Sequence, residues 1–475
     1  MYIKKIVIEN IRSVQKLEME FPKPAGWHVL IGDNGSGKTS IARAIGLCLV
    51  GPGEGGAARV PFNTWLRKNT EYGYCRLDFI RDKKYDGEEN IDKDTNLDLD
   101  KLFSKFFLNR ISKAQFKTGD QEKYVENITV MGATVTSPKE ILLVEEETPR
   151  EIEKEQHNEK EEGQQNKKSK DLYENWGKNG WFSAGFGSFR RFTGGNLGTE
   201  RLFKSHPRLG AHLSLFGEDI ALSEALEWIK ELDYLRLKEQ EAGSAGDSAF
   251  TFKQIIHFVN ESRLLPHNMR IDGIDKDGIK FIDGNGSKID TLELSDGFRS
   301  ILSLTFELIR QLVRVYGARE VFKDIEKGNM IISLPGVVII DEIDAHLHPS
   351  WQTAIGEWFT QYFPELQFIV TTHSPLVCRA ARKGSIWKLA APGSEEASGE
   401  VTGLDKERLI NGNILDAYAT DLFGESPTRS AQSQEKLERL GRLNILSALG
   451  KITDTEEQER IVLQQILSTD ASTAG

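Results

Sequence analysis

The stretch IGDNGSGKTS, residues 31–40, sets the expected fold of this 475-residue chain. From Gly32 to Thr39 it has the spacing G-x-x-x-x-G-K-[ST], preceded by the apolar run WHVL and followed by IARAIGLCLV. The apolar residues on one helical face of the following segment are Ile41, Ala44, Ile45, Cys48 and Leu49. A strand, a glycine-rich turn and a helix in this order predict a loop that binds phosphates.

The chemistry of this loop predicts its nucleotide contacts. Glycines let backbone N–H groups approach phosphates, and the next helix directs its positive end at them. We expect Lys38 to neutralise the β- and γ-phosphates and the Thr39 hydroxyl to ligate Mg²⁺. The predicted ATP-binding residues of the loop are Asn34, Gly35, Ser36, Gly37, Lys38, Thr39 and Ser40. A chance glycine-rich turn is the alternative, and the flanking strand and helix argue against it.

The composition narrows the class of protein. Hydrophobic residues make up 39% and charged residues 28%, as in ordinary globular proteins, and the net charge is −11. That charge argues against a general polyanion-binding surface, so nucleic-acid contact would need a local basic patch or a partner. The three cysteines form no C-x-x-C pair. Since no apolar run approaches the roughly 20 residues that cross a bilayer, we expect a cytoplasmic protein without a membrane segment.

A second segment, PGVVIIDEIDAHLHP at residues 335–349, supplies two acids. Its apolar run Val337–Ile340 is too short for a helix and predicts a buried parallel strand. Ligands bind beyond the carboxyl ends of such strands. We therefore expect Asp341 to complete the Mg²⁺ shell and Glu342 to act on the water that attacks the γ-phosphate.

Histidines follow both this strand and the next one. The segment FIVTTHSP, residues 368–375, predicts a strand that ends in His373. His373 can be structural, but its position one crossover after the acids favours a γ-phosphate sensor. His346 and His348 suggest a metal site only weakly, because they alternate in a loop without a third ligand.

The segment LSDGFRS, residues 294–300, precedes a predicted helix. The apolar stripe of that helix is Ile301, Leu304, Leu308 and Leu312. Ser295, the amide of Gly297 and the helix N-terminus together predict an anion site. Because the phosphate loop is already complete, a second anion site suggests a nucleotide clamped between two subunits. The alternative is a serine-capped helix start.

Three other segments carry no decisive motif. The acidic run DGEENIDKDTNLDLD, residues 86–100, lacks the glycine and glutamate of a calcium loop and predicts a solvated insertion. The polar stretch at 151–170 predicts an exposed loop or helix end. In WFSAGFGSFRRFTGG, residues 181–195, two interpretations stay open: core aromatics in a strand-to-loop segment, or Arg190 and Arg191 facing phosphates or a partner.

Taken together, these motifs resemble the ABC-type ATPases of the RecF/SMC-like class. IENIRSV is similar to their opening strand, GDNGSGKT to Walker A, LSDGFRS to the ABC signature, VVIIDE to Walker B and TTHSP to the switch histidine. The resemblance implies an α/β head with two lobes, a mixed parallel sheet and an antiparallel β meander. It also implies ATP and Mg²⁺ as ligands and a homodimer or higher homo-oligomer that shares composite ATP sites. The chain lacks a long coiled coil, a cysteine hook and the expected Q-loop glutamine.

A finer resemblance concerns anti-phage defence. LSDGFRSIL, DEIDAHLHP and NILDAYATDLFG resemble the ATPase family of Septu-type systems, which works with a separate HNH nuclease. This resemblance implies an ATPase that gates a nuclease partner and reaches nucleic acid directly or through that partner. The alternatives are a RecF-like DNA-repair ATPase that binds DNA in an ATP-dependent manner, and a transporter subunit, which the large insertion disfavours.

The expected organisation has four parts. Residues 1–80 form the N-terminal ATPase lobe, 81–267 an insertion with a helical part, and 268–390 the C-terminal ATPase lobe. Residues 391–475 form a helical region that we expect either to dock a partner or to pack on the lobes. Its leucines recur every third residue, at Leu437, Leu440, Leu443, Leu446 and Leu449. Such a step covers a wide arc of a helix instead of one stripe.

Overall fold

The computed structural model describes most of the chain. The described residues are 1–58, 60, 62–82, 84–85, 103–118, 121–135, 182–188, 205–217, 223–243, 246–275, 278–394, 396–412 and 431–467. Arg190, Arg191, the acidic run at 86–100 and the polar stretch at 151–170 lie outside them. The chain divides into two compact units, Met1–Gly412 and Asn413–Gly475.

The strands and the longer helices are numbered in chain order. The strands are β1 (Tyr2–Ile11), β2 (Val14–Glu20), β3 (Gly26–Ile31), β4 (Tyr72–Ile80), β5 (Phe103–Thr118), β6 (Gln121–Val135), β7 (Ser183–Phe186), β8 (Arg270–Asp275), β9 (Gly278–Ile282), β10 (Lys288–Asp290), β11 (Gly336–Ile340), β12 (Leu366–Thr371), β13 (Gly384–Lys388) and β14 (Gly399–Glu400). The helices are α1 (Lys38–Val50), α2 (Pro207–Phe216), α3 (Ser223–Glu241), α4 (Asp247–Glu261), α5 (Asp296–Tyr316), α6 (Pro349–Tyr362), α7 (Gly403–Asn411), α8 (Ala431–Ala448) and α9 (Asp454–Leu467). Shorter helical turns include Pro52–Gly55, Ala318–Val321, Lys323–Glu326 and Pro375–Lys383.

A six-stranded sheet in the order β14-β13-β3-β12-β11-β7 forms the centre of the first unit. All neighbours pair in parallel except β14, which runs antiparallel to β13. Every residue of β3, β11 and β12 is buried, as expected for parallel strands covered on both faces. The predicted buried strand at 337–340 is confirmed. Its carboxyl end lies at the same edge as the ends of β3 and β12.

An antiparallel sheet in the order β2-β1-β4-β5-β6 accompanies the central sheet. Its apolar face shares one core with α1 and with side chains of the central sheet, including Ile6, Leu77, Ile45 and Ile339. Helix α1 is therefore buried along nearly its whole circumference. The sequence predicts one buried face for this helix, but more of its surface is buried because both sheets pack around it.

The predicted meander and helices are confirmed. Strands β8, β9 and β10 form a three-stranded antiparallel sheet, and α3 and α4 form the helical part of the insertion expected at 81–267. The apolar stripe of α5 is buried throughout. Within residues 81–267, β5 and β6 extend the N-terminal sheet and β7 joins the central sheet. The boundaries at 80, 267 and 390 stay predictions.

In the second unit, helices α8 and α9 pack together around a small core of Leu440, Leu443 and Leu463. Arg439 donates two hydrogen bonds to the Glu459 carboxylate across the pair. The C-terminal leucines thus divide between the core and the surface. Leu437 and Leu449 are exposed, together with Ile445, Ile461, Val462 and Ile466. Among the residues that the structure describes, no helix is long and apolar enough to cross a membrane.

Candidate nucleotide site

The phosphate loop connects β3 to α1 and depends on a glycine at its end. Gly37 has φ of 100° at the N-terminus of α1, a left-handed conformation that favours glycine. A Cβ at this position would stand 2.7 Å from Ser13 Oγ, at the β1–β2 turn. Sequence reasoning missed this contact, because the GKT spacing says nothing about which distant segment covers the loop. The neighbouring Arg12 guanidinium lies 5.0 Å from the ring centroid of Trp65.

Lys38 lies in the phosphate loop, where the acids that follow β11 act on its charge. Its Nζ donates to the carbonyls of Gly32 at 2.7 Å and Asp33 at 3.0 Å, and the side chain is only 6% exposed. Burial lowers the pKa of Lys38, while the nearby carboxylates, first Asp341 and then Glu342, act in the opposite direction. The structure therefore brings together the predicted cation and the predicted acids. Their sequence positions are about 300 residues apart.

The loop contains a buried hydroxyl with no partner among the described residues. Ser36 is 4% exposed, and its Oγ makes no hydrogen bond there. Buried hydroxyls are normally hydrogen-bonded, so this group fits an additional acceptor such as a phosphate oxygen. The Lys38 ammonium and the loop N–H groups suit the same ligand. The residues present thus fit a triphosphate.

The oxygen donors of Thr39 and Asp341 are of the kind that Mg²⁺ prefers. Mg²⁺ is usually held by one or two protein oxygens together with substrate phosphates and water. Asp341 is 3% exposed at the carboxyl end of β11, and Thr39 is the second residue of α1. Those positions place both residues at the edge of the sheet where the loop lies.

Asp341 and Glu342 are held by Thr371, the last residue of β12. The Thr371 hydroxyl donates to Asp341 Oδ1 at 2.6 Å, and the Glu342 N–H donates to Thr371 Oγ1 at 2.8 Å. Glu342 itself has φ of 47°, an uncommon left-handed conformation for a non-glycine residue. Left-handed backbone at a site of this type indicates a conformation that the surrounding contacts impose.

His373 lies two residues beyond β12, because the strand ends at Thr371 instead of at the histidine. The strand prediction was too long by these residues. Asp344 accepts a hydrogen bond from the Thr372 hydroxyl at 2.6 Å and a longer one from the His373 N–H at 3.4 Å. The His373 side chain is exposed. It is thus available to a ligand at the edge of the sheet.

The signature segment packs against the loop after the two acids. Helix α5 begins at Asp296, and Ser295 occupies the N-cap position without a side-chain capping hydrogen bond. The alternative of a serine cap is therefore not supported. A Cβ on Gly297 would stand 2.5 Å from the His346 carbonyl oxygen, so only glycine fits this approach. Ser295 is exposed.

The two loop histidines have structural contacts. His348 precedes α6, and its Nδ1 accepts the Ser350 N–H at 3.3 Å as a helix cap. His346 has φ of 64° and provides the carbonyl that faces Gly297. Within the described ranges, no group of three or more His, Cys, Asp or Glu is placed to hold a metal ion.

Comparison with known proteins shows which proteins this chain is similar to. A family model described as "AAA domain, putative AbiEii toxin, Type IV TA system" matches residues 28–379, well over half of the chain. "Retron Ec83 probable ATPase" of Escherichia coli is 39% identical over 110 residues, which cover 23% of this chain and 18% of that protein. "Septu protein PtuA" of Bacillus thuringiensis is 28% identical over 201 residues, which cover 42% of this chain and 46% of that protein. The similarity thus spans less than half the length of each relative.

Among solved structures, the Smc head bound to the C-winged helix domain of ScpA is similar over 86% of this chain and 99% of that chain. The sequence identity is 18% and the TM-score is 0.41. The family match runs from β3 through the phosphate loop, the signature, the two acids and the switch histidine. The chain belongs to the family described as "AAA domain, putative AbiEii toxin, Type IV TA system", and it is similar to PtuA.

Proposed function

We propose that this protein binds and hydrolyses ATP. The observation that carries the proposal is the position of Lys38, whose ammonium donates to two phosphate-loop carbonyls and interacts electrostatically with the carboxylates of Asp341 and Glu342. On binding, Lys38 exchanges loop carbonyls for β- and γ-phosphate oxygens. Ser36 donates its unpaired hydroxyl to the same group.

The remaining residues take roles set by their chemistry. Thr39 and Asp341 hold Mg²⁺, which supplies neutralising charge to the phosphates when bound. Glu342 orients the attacking water and accepts its proton. His373, which is exposed at the edge of the sheet, contacts the γ-phosphate. Together they position a water molecule opposite the leaving β-phosphate oxygen.

Two substitutions separate binding from hydrolysis. Lys38→Ala removes the main cation, so we expect loss of binding of a fluorescent ATP analogue. Glu342→Gln keeps the side-chain shape but loses the base, so binding should persist while steady-state phosphate release falls at least about 100-fold. Unchanged phosphate release by Glu342→Gln would remove Glu342 from the mechanism.

We also propose that the ATP site is completed by a second copy of the chain. Ser295 is exposed and makes no capping bond, and Gly297 holds the start of α5 against the loop that follows the acids. This arrangement presents a helix N-terminus outward, where it can bind the γ-phosphate held by another subunit. The resemblance to ABC-type ATPases implies the same pairing.

A mixing experiment tests the composite site. Ser295→Arg and Lys38→Ala should each be inactive alone, because each damages both sites of a homodimer. A mixed dimer has one site without a lesion and another with both, so partial ATPase activity should return. Full activity of Ser295→Arg alone contradicts the role of Ser295 in the partner's site.

At the level of the cell, we propose an anti-phage defence complex in which this ATPase gates a separate HNH-type nuclease. The similarity to PtuA supports this proposal. The docking surface we propose is the α8–α9 pair, where six large apolar side chains are exposed: Leu437, Ile445, Leu449, Ile461, Val462 and Ile466. We propose that the partner covers these side chains, because burial of apolar surface drives protein association.

Co-expression with a neighbouring nuclease gene, followed by size-exclusion chromatography, tests the complex. We expect co-elution that is lost when Ile445 and Ile461 are both replaced by Asp. Separate elution with and without ATP, combined with ATP-dependent DNA binding by the isolated chain, would favour the RecF-like repair function instead. DNA affinity should then fall steeply with salt.

A further inference from the structure

Thr371 holds three successive residues of the segment that follows β11. Its hydroxyl contacts the Asp341 carboxylate and the Glu342 N–H at 2.6 and 2.8 Å. Its carbonyl accepts the Ile343 N–H at 3.1 Å. Because β11 and β12 pair in parallel with Ile340 beside Val370, the next position of β12 falls beside the first acid.

The direction of the Thr371 hydroxyl is fixed by its partners. A hydroxyl has one hydrogen to donate. The Glu342 N–H is a donor, so the Thr371 oxygen accepts there and its hydrogen goes to Asp341. Thr371 is fully buried, which keeps water from competing for either contact. The Thr371 side chain therefore contributes both to the orientation of the Asp341 carboxylate and to the backbone conformation of Glu342.

The same residue is also tied to the phosphate-loop strand. Thr371 of β12 is paired with Leu30 of β3, two residues before Gly32. Strand β12 thus lies between the strand that leads into the loop and the strand that carries the acids. Thr371 therefore lies on the strand that separates these two halves of the site.

We propose that Thr371 is a positioning residue that sets the Asp341 carboxylate toward Mg²⁺ and holds Glu342 in its left-handed conformation. This inference rests on the ATPase function proposed above. Thr371 acts through Asp341 and Glu342 and does not itself touch the substrate. Its importance lies in the hydroxyl, because the methyl group makes neither contact.

Three variants isolate the hydroxyl. Thr371→Val keeps the shape and removes the hydroxyl, and Thr371→Ser keeps the hydroxyl and removes the methyl group. Thr305→Val is the matched control, since Thr305 is fully buried in α5 and its hydroxyl has no hydrogen bond among the described residues. If Thr371→Val does not fold, Thr371→Ala carries the same comparison with Thr371→Ser.

The experiment has two measurements besides a melting midpoint for each variant. One is kcat for ATP hydrolysis, and the other is the Mg²⁺ concentration that gives half-maximal binding of a fluorescent ATP analogue. Loss of a group that orients a metal ligand typically costs about 10- to 100-fold in affinity or activity. We expect Thr371→Val to show such a change in both measurements, and Thr371→Ser and Thr305→Val to remain within about threefold of the wild type.

The outcomes separate this inference from the proposed function. If the wild type hydrolyses ATP and Thr371→Val has the same kcat and the same Mg²⁺ dependence of binding, the inference is wrong and the ATPase function still stands. Equal losses in Thr371→Ser and Thr371→Val assign the effect to methyl packing and also overturn it. If the wild type binds Mg·ATP but does not hydrolyse it, the proposed hydrolysis is wrong. The Mg²⁺ dependence of binding, compared between the wild type and Thr371→Val, then tests the inference by itself.

Discussion

The left-handed backbone of Glu342 leads to a stability prediction of unusual sign. At φ of 47°, any side chain with a Cβ is crowded by the adjacent carbonyl, whereas glycine is not. Glu342→Ala and Glu342→Gly both remove the carboxylate, so they differ only by a Cβ. We expect the glycine variant to be the more stable of the two, although glycine is normally the less stable choice.

The magnitude follows from two opposing terms. A left-handed residue with a Cβ costs about 1–2 kcal/mol. The greater backbone entropy of glycine in the unfolded chain costs about 0.5–1 kcal/mol. The net advantage of Glu342→Gly is thus about 0.5–1 kcal/mol. For a first unit that ends at residue 412, this corresponds to a melting midpoint about 1 °C higher.

Differential scanning fluorimetry can measure the difference against a helical control. Glu357 is an exposed residue within α6, where glycine should be less stable than alanine by about 1 kcal/mol. The glycine variant should therefore have a higher melting midpoint than the alanine variant at position 342 and a lower one at position 357. Both 342 variants should bind ATP without hydrolysing it. An alanine variant as stable as the glycine variant at 342 would refute the strain argument.

Two further predictions concern a close backbone approach and a buried histidine. Gly297→Ala should lower ATPase activity at least about tenfold, because its Cβ would press on the His346 carbonyl and displace the signature segment. Gly273→Ala is the control: it has open space around its Cβ and should match the wild type in the same assay. Unchanged activity of Gly297→Ala would contradict the fit. Burial lowers the pKa of His28 from its usual 6.5 to about 4, so the folded protein keeps this histidine neutral while the unfolded chain takes up a proton. Stability should accordingly be unaffected above about pH 6.5 and fall by up to about 3 kcal/mol as the pH drops toward 4. Urea titrations should show a shallower acid loss for His28→Gln, and an equal loss in both proteins would contradict this assignment.

Local patterns in the sequence determined the elements that carry the chemistry. The spacing from Gly32 to Thr39 predicts the turn between β3 and α1 because the glycine and lysine requirements act within eight residues. The apolar run before Asp341 predicts β11 in the same way, since a short run bounded by Pro335 and Gly336 has no room for a helix. Both patterns depend only on residues that are adjacent in the sequence and not on which elements pack against them.

Only the tertiary structure decided which distant residues support that chemistry. Thr371 meets Asp341 because β11 and β12 pair in one particular register, and a shift by one residue would turn its side chain to the other face. Ser13 covers Gly37 because the β1–β2 turn reaches the phosphate loop. Helix α1 is buried along nearly its whole circumference because a second sheet packs beside it. Such contacts join residues far apart in sequence, and their geometry depends on strand pairing and packing that no local pattern contains.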